Sequence, residues 1–156
     1  MLSNLEKSYI AGFLDGDGCI MFQLIRKKDY TFGFQVRASI VFYQKSGNDF
    51  ILNWLKSKLK FGYLRRRKYG MTEYTIVGLK QVMSIIKLLK PYLKLKKKHA
   101  DLALRIENIW PEKFNEKKLL QIAKLADGFK KLNYSKKRKI TREVILEYFK
   151  NGPRND

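Results

Sequence analysis

Cysteine and histidine each occur once in these 156 residues, as Cys19 and His99. A single cysteine excludes an internal disulfide, and the two together exclude cysteine-cluster or histidine-rich metal chemistry, so a reducing compartment is expected. No apolar run is long enough to span a bilayer. The N-terminus has neither the apolar core of a signal peptide nor the acid-poor, Arg- and Ser-rich character of a transit peptide, so the protein is expected to work where it is made. There is no internal repeat and no linker-like stretch. Acid is the next shortage: 14 Asp and Glu face 34 Lys and Arg, a formal net charge of +20. Such an excess repels itself unless solvent, counterions or a polyanion holds it, which makes nucleic acid the natural partner. On charge alone, a basic ribosomal protein or a membrane-surface protein fits as well. The apolar fraction of 45% supports a proper core in one domain, residues 1–156.

The scarce acids are not spread evenly. Asp15 and Asp17 close the stretch Ser8-Tyr9-Ile10-Ala11-Gly12-Phe13-Leu14-Asp15-Gly16-Asp17-Gly18. Upstream, Ser3-Asn4-Leu5-Glu6 reads as a capping box and predicts a helix from about Asn4 to Leu14 or Asp15. Ser8, Gly12 and Gly16 recur every fourth residue, so small side chains line one face and admit another backbone closely. Both carboxylates then fall where the helix dipole is already negative, and something positive is expected beside them. The interleaved glycines expose carbonyl oxygens next to the carboxylates, the donor set of a hard cation such as magnesium. Taken alone, Asp-Gly-Asp-Gly also fits a helix C-cap followed by an acidic turn.

Alternation predicts a strand from Cys19 to about Lys27, with Ile20, Phe22 and Leu24 on a core face and Met21, Gln23, Ile25 and Lys27 opposite. Lys28-Asp29-Tyr30-Thr31 reads as a hairpin connection. Phe32 to Tyr43 is the next strand, with Phe34, Val36, Ala38, Ile40 and Phe42 opposed to Gln35, Arg37, Ser39, Val41 and Tyr43. Ser46 to Asp49 reads as a cap for a helix whose stripe of Phe50, Ile51, Trp54, Leu55, Lys58 and Leu59 is expected to cover the sheet. A third strand, Tyr63 to Lys68, puts Tyr63, Arg65 and Arg67 on one face, and a fourth, Met71 to Val77, does the same for Glu73 and Thr75.

A helix after Gly78 buries Val82, Ile85, Ile86 and Leu89, and Pro91 ends or kinks it. A long helix is expected from Tyr92 to Trp110, with Lys94, Lys96, Lys97 and Lys98 in its first turns and His99 on the surface or facing phosphate. Leu119 to Leu132 and Thr141 to Phe149 read as two helices. Between them a basic loop offers Lys136, Lys137, Arg138 and Lys139 as a phosphate clamp. Asn151 to Asp156 is expected to fray. This order predicts an α+β class, αββαββα, with a four-stranded antiparallel sheet, helices on one side and extra C-terminal helices.

Ile10-Ala11-Gly12-Phe13-Leu14-Asp15-Gly16-Asp17-Gly18 resembles the nine-residue motif of the LAGLIDADG homing endonucleases. It keeps the Ala-Gly pair, both acids and the last glycine, with Gly16 where the motif has Ala. Gln44-Lys45-Ser46, Pro91 to Lys96 and Leu132 to Lys139 resemble segments of that family's short, single-motif, homodimeric group, which includes chloroplast intron-encoded members. The resemblance implies a site-specific DNA endonuclease whose saddle-shaped sheet lies in the major groove of double-stranded DNA. Gln23, Ile25, Lys27, Gln35, Arg37, Ser39, Arg65, Arg67, Glu73 and Thr75 then become DNA contacts, with Arg favouring guanine and Gln adenine.

With one motif per chain, the first-helix face of Ser8, Ala11, Gly12 and Asp15 must meet a second copy, which implies a homodimer on a long, roughly palindromic site. Asp17 and the Gly16 carbonyl of each subunit would hold magnesium at the scissile phosphates. By the same resemblance Gln44 positions solvent, Lys96 supports developing phosphate charge, and Asp15 is mostly structural. Asn48 stands where chloroplast members carry an arginine and joins the catalytic set on position alone. Neither a membrane nor a small-molecule cofactor is implied. Related motifs occur in intron-splicing maturases and DNA-binding regulators, so binding DNA or RNA without cutting is the alternative, and a general basic RNA-binding protein is a third. Asp15 and Asp17 together with Gln44 and Lys96 favour the nuclease, because a pure binder has no reason to set acids beside a phosphate.

Overall fold

A computed structural model describes residues 1–152. Helix α1, Asn4–Asp17, starts at the reciprocal cap expected of it: Glu6 N–H donates to Ser3 Oγ at 3.2 Å, and Ser3 N–H donates to Glu6 Oε2 at 2.8 Å. Two orphan donors of the first turn are thereby satisfied. Strands β1 (Gly18–Arg26), β2 (Phe34–Lys45), β3 (Tyr63–Arg66) and β4 (Met71–Val77) form one sheet in the order β1-β2-β4-β3. Strand β4 runs antiparallel to both β2 and β3. The other helices are α2 (Phe50–Leu59), α3 (Leu79–Leu89), α4 (Lys97–Asn108), α5 (Glu116–Asp127), α6 (Phe129–Leu132) and α7 (Arg142–Asn151). The class is α+β, as the alternation of periods predicted.

The chain divides into two compact units. In the first, Met1–Met21 with Ala38–Asp101, the period-2 apolar set of β2 and β4 is buried: Ile40, Phe42, Tyr74 and Ile76 are fully covered. Phe42 stacks on Tyr74 with ring centres 5.8 Å apart and meets Phe13 of α1 at 5.9 Å. Covering one such side chain contributes roughly 1.5–3 kcal/mol. The Tyr74 hydroxyl is not stranded, because it donates to the Phe61 carbonyl at 2.7 Å. Helix α3 adds Val82, Met83, Ile85, Ile86 and Leu89 to this core.

The second unit, Phe22–Arg37 with the chain from Leu102 onward, has a core of its own. Phe22 stacks on Phe129 at 5.2 Å, and α5 buries Leu119, Ile122, Ala123 and Ala126 at helical spacing. The Arg26 guanidinium lies 4.5 Å from the Tyr148 ring centre and 5.4 Å from that of Phe34, so one cation ties α7 to the hairpin.

Several boundaries move for identifiable reasons. Helix α1 continues to Asp17, beyond the expected Leu14 or Asp15. The β1–β2 turn runs on to Gly33, whose φ of 72° suits glycine and whose carbonyl accepts from Lys27 N–H, so β2 starts at Phe34 rather than Phe32. Strand β3 ends at Arg66. The Ser46 cap does not form: Ser46 Oγ pairs with Thr72 Oγ1 at 2.8 Å, and α2 begins after Asp49 without a side-chain cap. The stripe of α2 rotates with it, so Leu52, Leu55 and Leu59 are buried while Phe50 is 70% exposed.

The expected helix from Tyr92 begins only at Lys97, because Lys90–Tyr92 is a 3-10 turn at Pro91, Leu93 is extended, and a bend and turn over Lys94 to Lys96 follow. Gly128 divides the predicted Leu119 to Leu132 helix, and a Cβ there would lie 2.9 Å from the Leu125 carbonyl. His99 is buried, 7% exposed, not on the surface. Of the tail expected to fray, Asn151 ends α7, and residues 153–156 lie outside the described residues. Among the described residues no helix is long and apolar enough to cross a membrane.

Candidate active site and its family

The end of α1 carries the chemistry. Asp15 turns its carboxylate onto three successive backbone donors: Oδ2 accepts from Lys94 N–H at 2.7 Å and Leu95 N–H at 3.1 Å, and Oδ1 from Lys96 N–H at 2.8 Å. The positive group expected at this helix end is Lys96, whose Nζ donates to the Asp15 carbonyl at 2.6 Å. It offsets the negative pole of α1 from inside the same chain. Lys96 is only 5% exposed; burial pushes its ammonium below the ordinary lysine range, while Asp15, Cys19 and Asp17 pull it back up. Burial likewise raises the Cys19 thiol, against the opposing charge of Lys96.

Asp17 and Gly16 are exposed at the helix end. Gly16 lies among the last four helical residues, whose carbonyls have no intrahelical donor. A carboxylate beside a free carbonyl is an all-oxygen donor set, which fits a hard divalent ion that keeps most of its waters and completes its shell on phosphate. Among the described residues no group of three or more His, Cys, Asp or Glu gathers into a metal cluster, so one protomer offers only part of a shell. Gln44 is the next-to-last residue of β2, its Oε1 accepting from Lys45 N–H at 2.9 Å, and Asn48 is exposed in the turn that follows. The structure thus joins Asp15, Asp17 and Lys96 electrostatically, and gives no such contact for Gln44 or Asn48.

On α1, Ser8 and Gly12 are exposed with Leu5 and Tyr9, and a Cβ built on Gly12 or Gly16 meets nothing within 4 Å beyond the adjacent backbone of its own helix. Two residues assigned to this face are engaged within their own chain. Ala11 is fully buried in its own chain, and the Asp15 carboxylate faces its own backbone. Around the helix Asp15 lies about 20° and Ala11 about 60° from Ser8, so it is burial of Ala11 and the hydrogen bonds of Asp15, not the helical period, that engage these side chains within the protomer.

In the first unit, the sheet face opposite the core brings Glu73 directly between Tyr43 on β2 and Arg65 on β3, and Arg67 Nε pairs with Glu73 Oε2 at 2.8 Å. Arg65 and Arg67 are exposed. Ser39 and Thr75 share that face in the pattern but are 2% and 7% exposed, so neither is available as a surface contact. Central strands are flanked on both sides, which covers short side chains that longer neighbours overhang. In the second unit, Gln23 and Lys27 are exposed, while Ile25, Gln35 and Arg37 are half-buried.

The basic loop splits. Lys136, Lys137 and Lys139 are exposed, with Lys136 Nζ donating to the Lys131 and Asn133 carbonyls. Arg138 is not part of a clamp. Its Nε lies 2.9 Å from Asp127 Oδ1, an ion-pair contact, and its Nη2 donates to the Phe22 carbonyl at 2.8 Å. Sequence reasoning had no access to these partners: Arg138 and Phe22 are 116 residues apart, Lys96 and Asp15 81. It also missed Asp49, which pairs with Arg66 at 3.2 Å and is reached by the Thr72 hydroxyl.

Residues 10–109 match the model of the LAGLIDADG endonuclease family, and the chain belongs to that family. Its fold, an α+β arrangement on a four-stranded antiparallel sheet, is that of the LAGLIDADG homing endonucleases. Among particular proteins, the chain is similar to the DNA endonuclease I-CvuI of Chlorella vulgaris, 36% identical over 146 residues, 94% of this chain and 91% of that one. It is 34% identical over 138 residues to the DNA endonuclease I-CreI of Chlamydomonas reinhardtii, covering 88% of this chain and 84% of the relative. Crystal structures of I-CvuI on DNA, one with the I-CreI target and 2 mM Mg in which the DNA is not cleaved and one with its own target and 2 mM Ca, superpose on 94% of this chain and 93% of theirs with a TM-score of 0.89.

Proposed function

We propose that this chain is a homing endonuclease that binds a long, near-palindromic double-stranded DNA site as a homodimer and hydrolyses one phosphodiester on each strand with a divalent metal such as magnesium. One observation carries the reading: at the exposed end of the motif helix, Asp17 stands two residues beyond the carbonyl that holds the buried ammonium of Lys96. An acid that gathers cations and a fixed ammonium beside it suit a phosphodiester whose charge grows during hydrolysis. The family membership and the DNA-bound structures of I-CvuI support the same substrate.

Asp17 and the Gly16 carbonyl would hold the metal, which when bound supplies Lewis acidity at the scissile phosphate. Lys96 offsets developing charge on phosphate oxygens. Gln44, at the end of β2, orients solvent through its amide. Asn48 supplies a neutral donor where chloroplast members place a guanidinium, so this site has one cation fewer to set against phosphate. Arg65 and Arg67, spaced by Glu73, read guanine edges in the major groove, with Gln23, Gln35 and Arg37 as further readers and Lys27, Lys136, Lys137 and Lys139 on phosphates. The open Ser8, Gly12 and Gly16 line supports the two-fold contact that brings two Asp17 residues to one duplex.

Incubating the chain with a randomised duplex DNA library and magnesium, then sequencing the ends, tests all of this at once. Paired cuts at one near-palindromic sequence are expected. Selective retention of a sequence without new ends would identify a binder instead, and neither cuts nor selection would leave a general basic protein.

A further inference from the structure

We propose that Asp15 is a positioning residue of the nuclease site, one that sets the place of the Lys96 ammonium through both the backbone and the side chain of Lys96. The inference rests on the role of Lys96 proposed above, and it concerns how this fold presents a single lysine, not whether the chain cuts DNA.

The geometry is unusually complete for one residue. After the 3-10 turn at Lys90–Tyr92 the chain extends through Leu93, and α4 starts at Lys97. The Ala100 N–H donates to the Lys96 carbonyl at 3.1 Å, so Lys96 is the residue from which α4 launches. Successive N–H groups ahead of a helix form a concave, electropositive cradle for an anion. In this fold the anion is the Asp15 carboxylate, at 2.7, 3.1 and 2.8 Å from the donors of Lys94, Leu95 and Lys96. A segment about eighty residues earlier thereby fixes the stretch of backbone from which α4 starts.

The same residue then takes the other end of Lys96. Its main-chain carbonyl, in the last turn of α1, accepts from Nζ at 2.6 Å. A lysine side chain has four rotatable bonds and is ordinarily a mobile point charge. Here its Cα is located by the carboxylate and its nitrogen by the carbonyl of one residue, and it is nearly fully covered. The groups facing it are Asp15 and Asp17 from α1 and Cys19 from β1. Lys94, Lys97 and Lys98 on either side are exposed. Of the local lysines, Lys96 is thus the one held in place, and the charge it offers the phosphate is pre-oriented rather than recruited.

The test is a cycle of full-length variants on the cleavable duplex, with single-turnover rates in magnesium and DNA affinity in calcium. Lys96→Met is expected to slow cleavage about 100-fold. Asp15→Asn, which keeps the shape but removes the charge and one acceptor, should slow cleavage about 10-fold or more with DNA affinity unchanged, the usual size for losing a supporting partner. Because Asp15 acts through Lys96, the double variant should be no slower than Lys96→Met alone, a coupling that a purely structural role would not produce.

Additive losses, or Asp15→Asn cleaving at the native rate while Lys96→Met does not, would overturn the positioning role and leave the nuclease reading intact. Native cleavage by Lys96→Met would remove the role of Lys96 itself, and the proposal with it. Should Asp15→Asn fail to fold, amide exchange in the native chain decides: slowed exchange at Lys94, Leu95 and Lys96 supports the cradle, and exchange as fast as in exposed loops overturns it.

Discussion

Replacing Arg138 by Met separates two accounts of the basic loop. The Arg138 side chain is 13% exposed; its guanidinium pairs with Asp127 at 2.9 Å and donates to the Phe22 carbonyl at 2.8 Å. Asp127 in turn accepts from the Arg142 N–H at 2.8 Å, at the start of α7. The ion pair therefore links the loop, the end of α5, the start of α7 and β1. Breaking a largely buried pair from one side leaves the other charge uncompensated, at a cost of about 3–5 kcal/mol. Asp127 keeps 24% exposure and its bond from Arg142, and Met restores apolar volume, so about 3 kcal/mol is expected. For a chain of this length that corresponds to a fall in Tm of roughly 6–12 °C.

Thermal and urea unfolding followed by circular dichroism measures the loss. Replacing both charges, Asp127→Leu with Arg138→Met, should recover much of it, because no unpaired charge remains. If Arg138 were instead a phosphate contact, its loss would leave the melt unchanged and reduce the salt dependence of DNA binding by about one counterion. That result would refute the structural assignment. Lys139→Met should show the reverse pattern, since Lys139 is exposed.

Gly12→Leu should drive sedimentation from dimer to monomer without unfolding the protomer, because a Cβ at Gly12 meets nothing within 4 Å beyond the adjacent backbone of its own helix; an unchanged dimer contradicts the interface. Asp17→Asn should lose magnesium-dependent cleavage and retain DNA binding in calcium, and undiminished cutting would remove Asp17 as a ligand. Tyr43 is pushed up to about 12 by burial first, then by Cys19 and Glu73, with Arg67 opposing. Its phenol ionises near 10 when unfolded, so the unfolded state sheds the proton first; the stability linked to Tyr43 is complete below pH 10 and is lost as pH rises through about 12. A urea midpoint that stays flat across that window would contradict the burial.

Much of this protein was legible because its signals are local. A capping box four residues long placed the start of α1, and strict alternation assigned Ile20, Phe22, Leu24, Ile40 and Phe42 to the core. The fourth strand ran from Met71 to Val77 as predicted, since its flanking Gly70 and Gly78 are both at positive φ and punctuate it. The nine-residue motif named the family for the same reason: its acids and glycines are adjacent in the chain.

What stayed hidden depends on partners far along the chain. Nothing near Asp15 shows that its carboxylate would be taken up by the N–H groups of Lys94 to Lys96, which occupies that side chain within its own chain ahead of a helix that starts later than expected. A run of lysines and arginines looks uniform in sequence, yet folding buries Arg138 against Asp127 and leaves Lys139 in water. Local period and capping are written in neighbouring residues and survive in any context; burial and charge pairing are properties of the space that distant segments enclose, and only the folded chain creates that space.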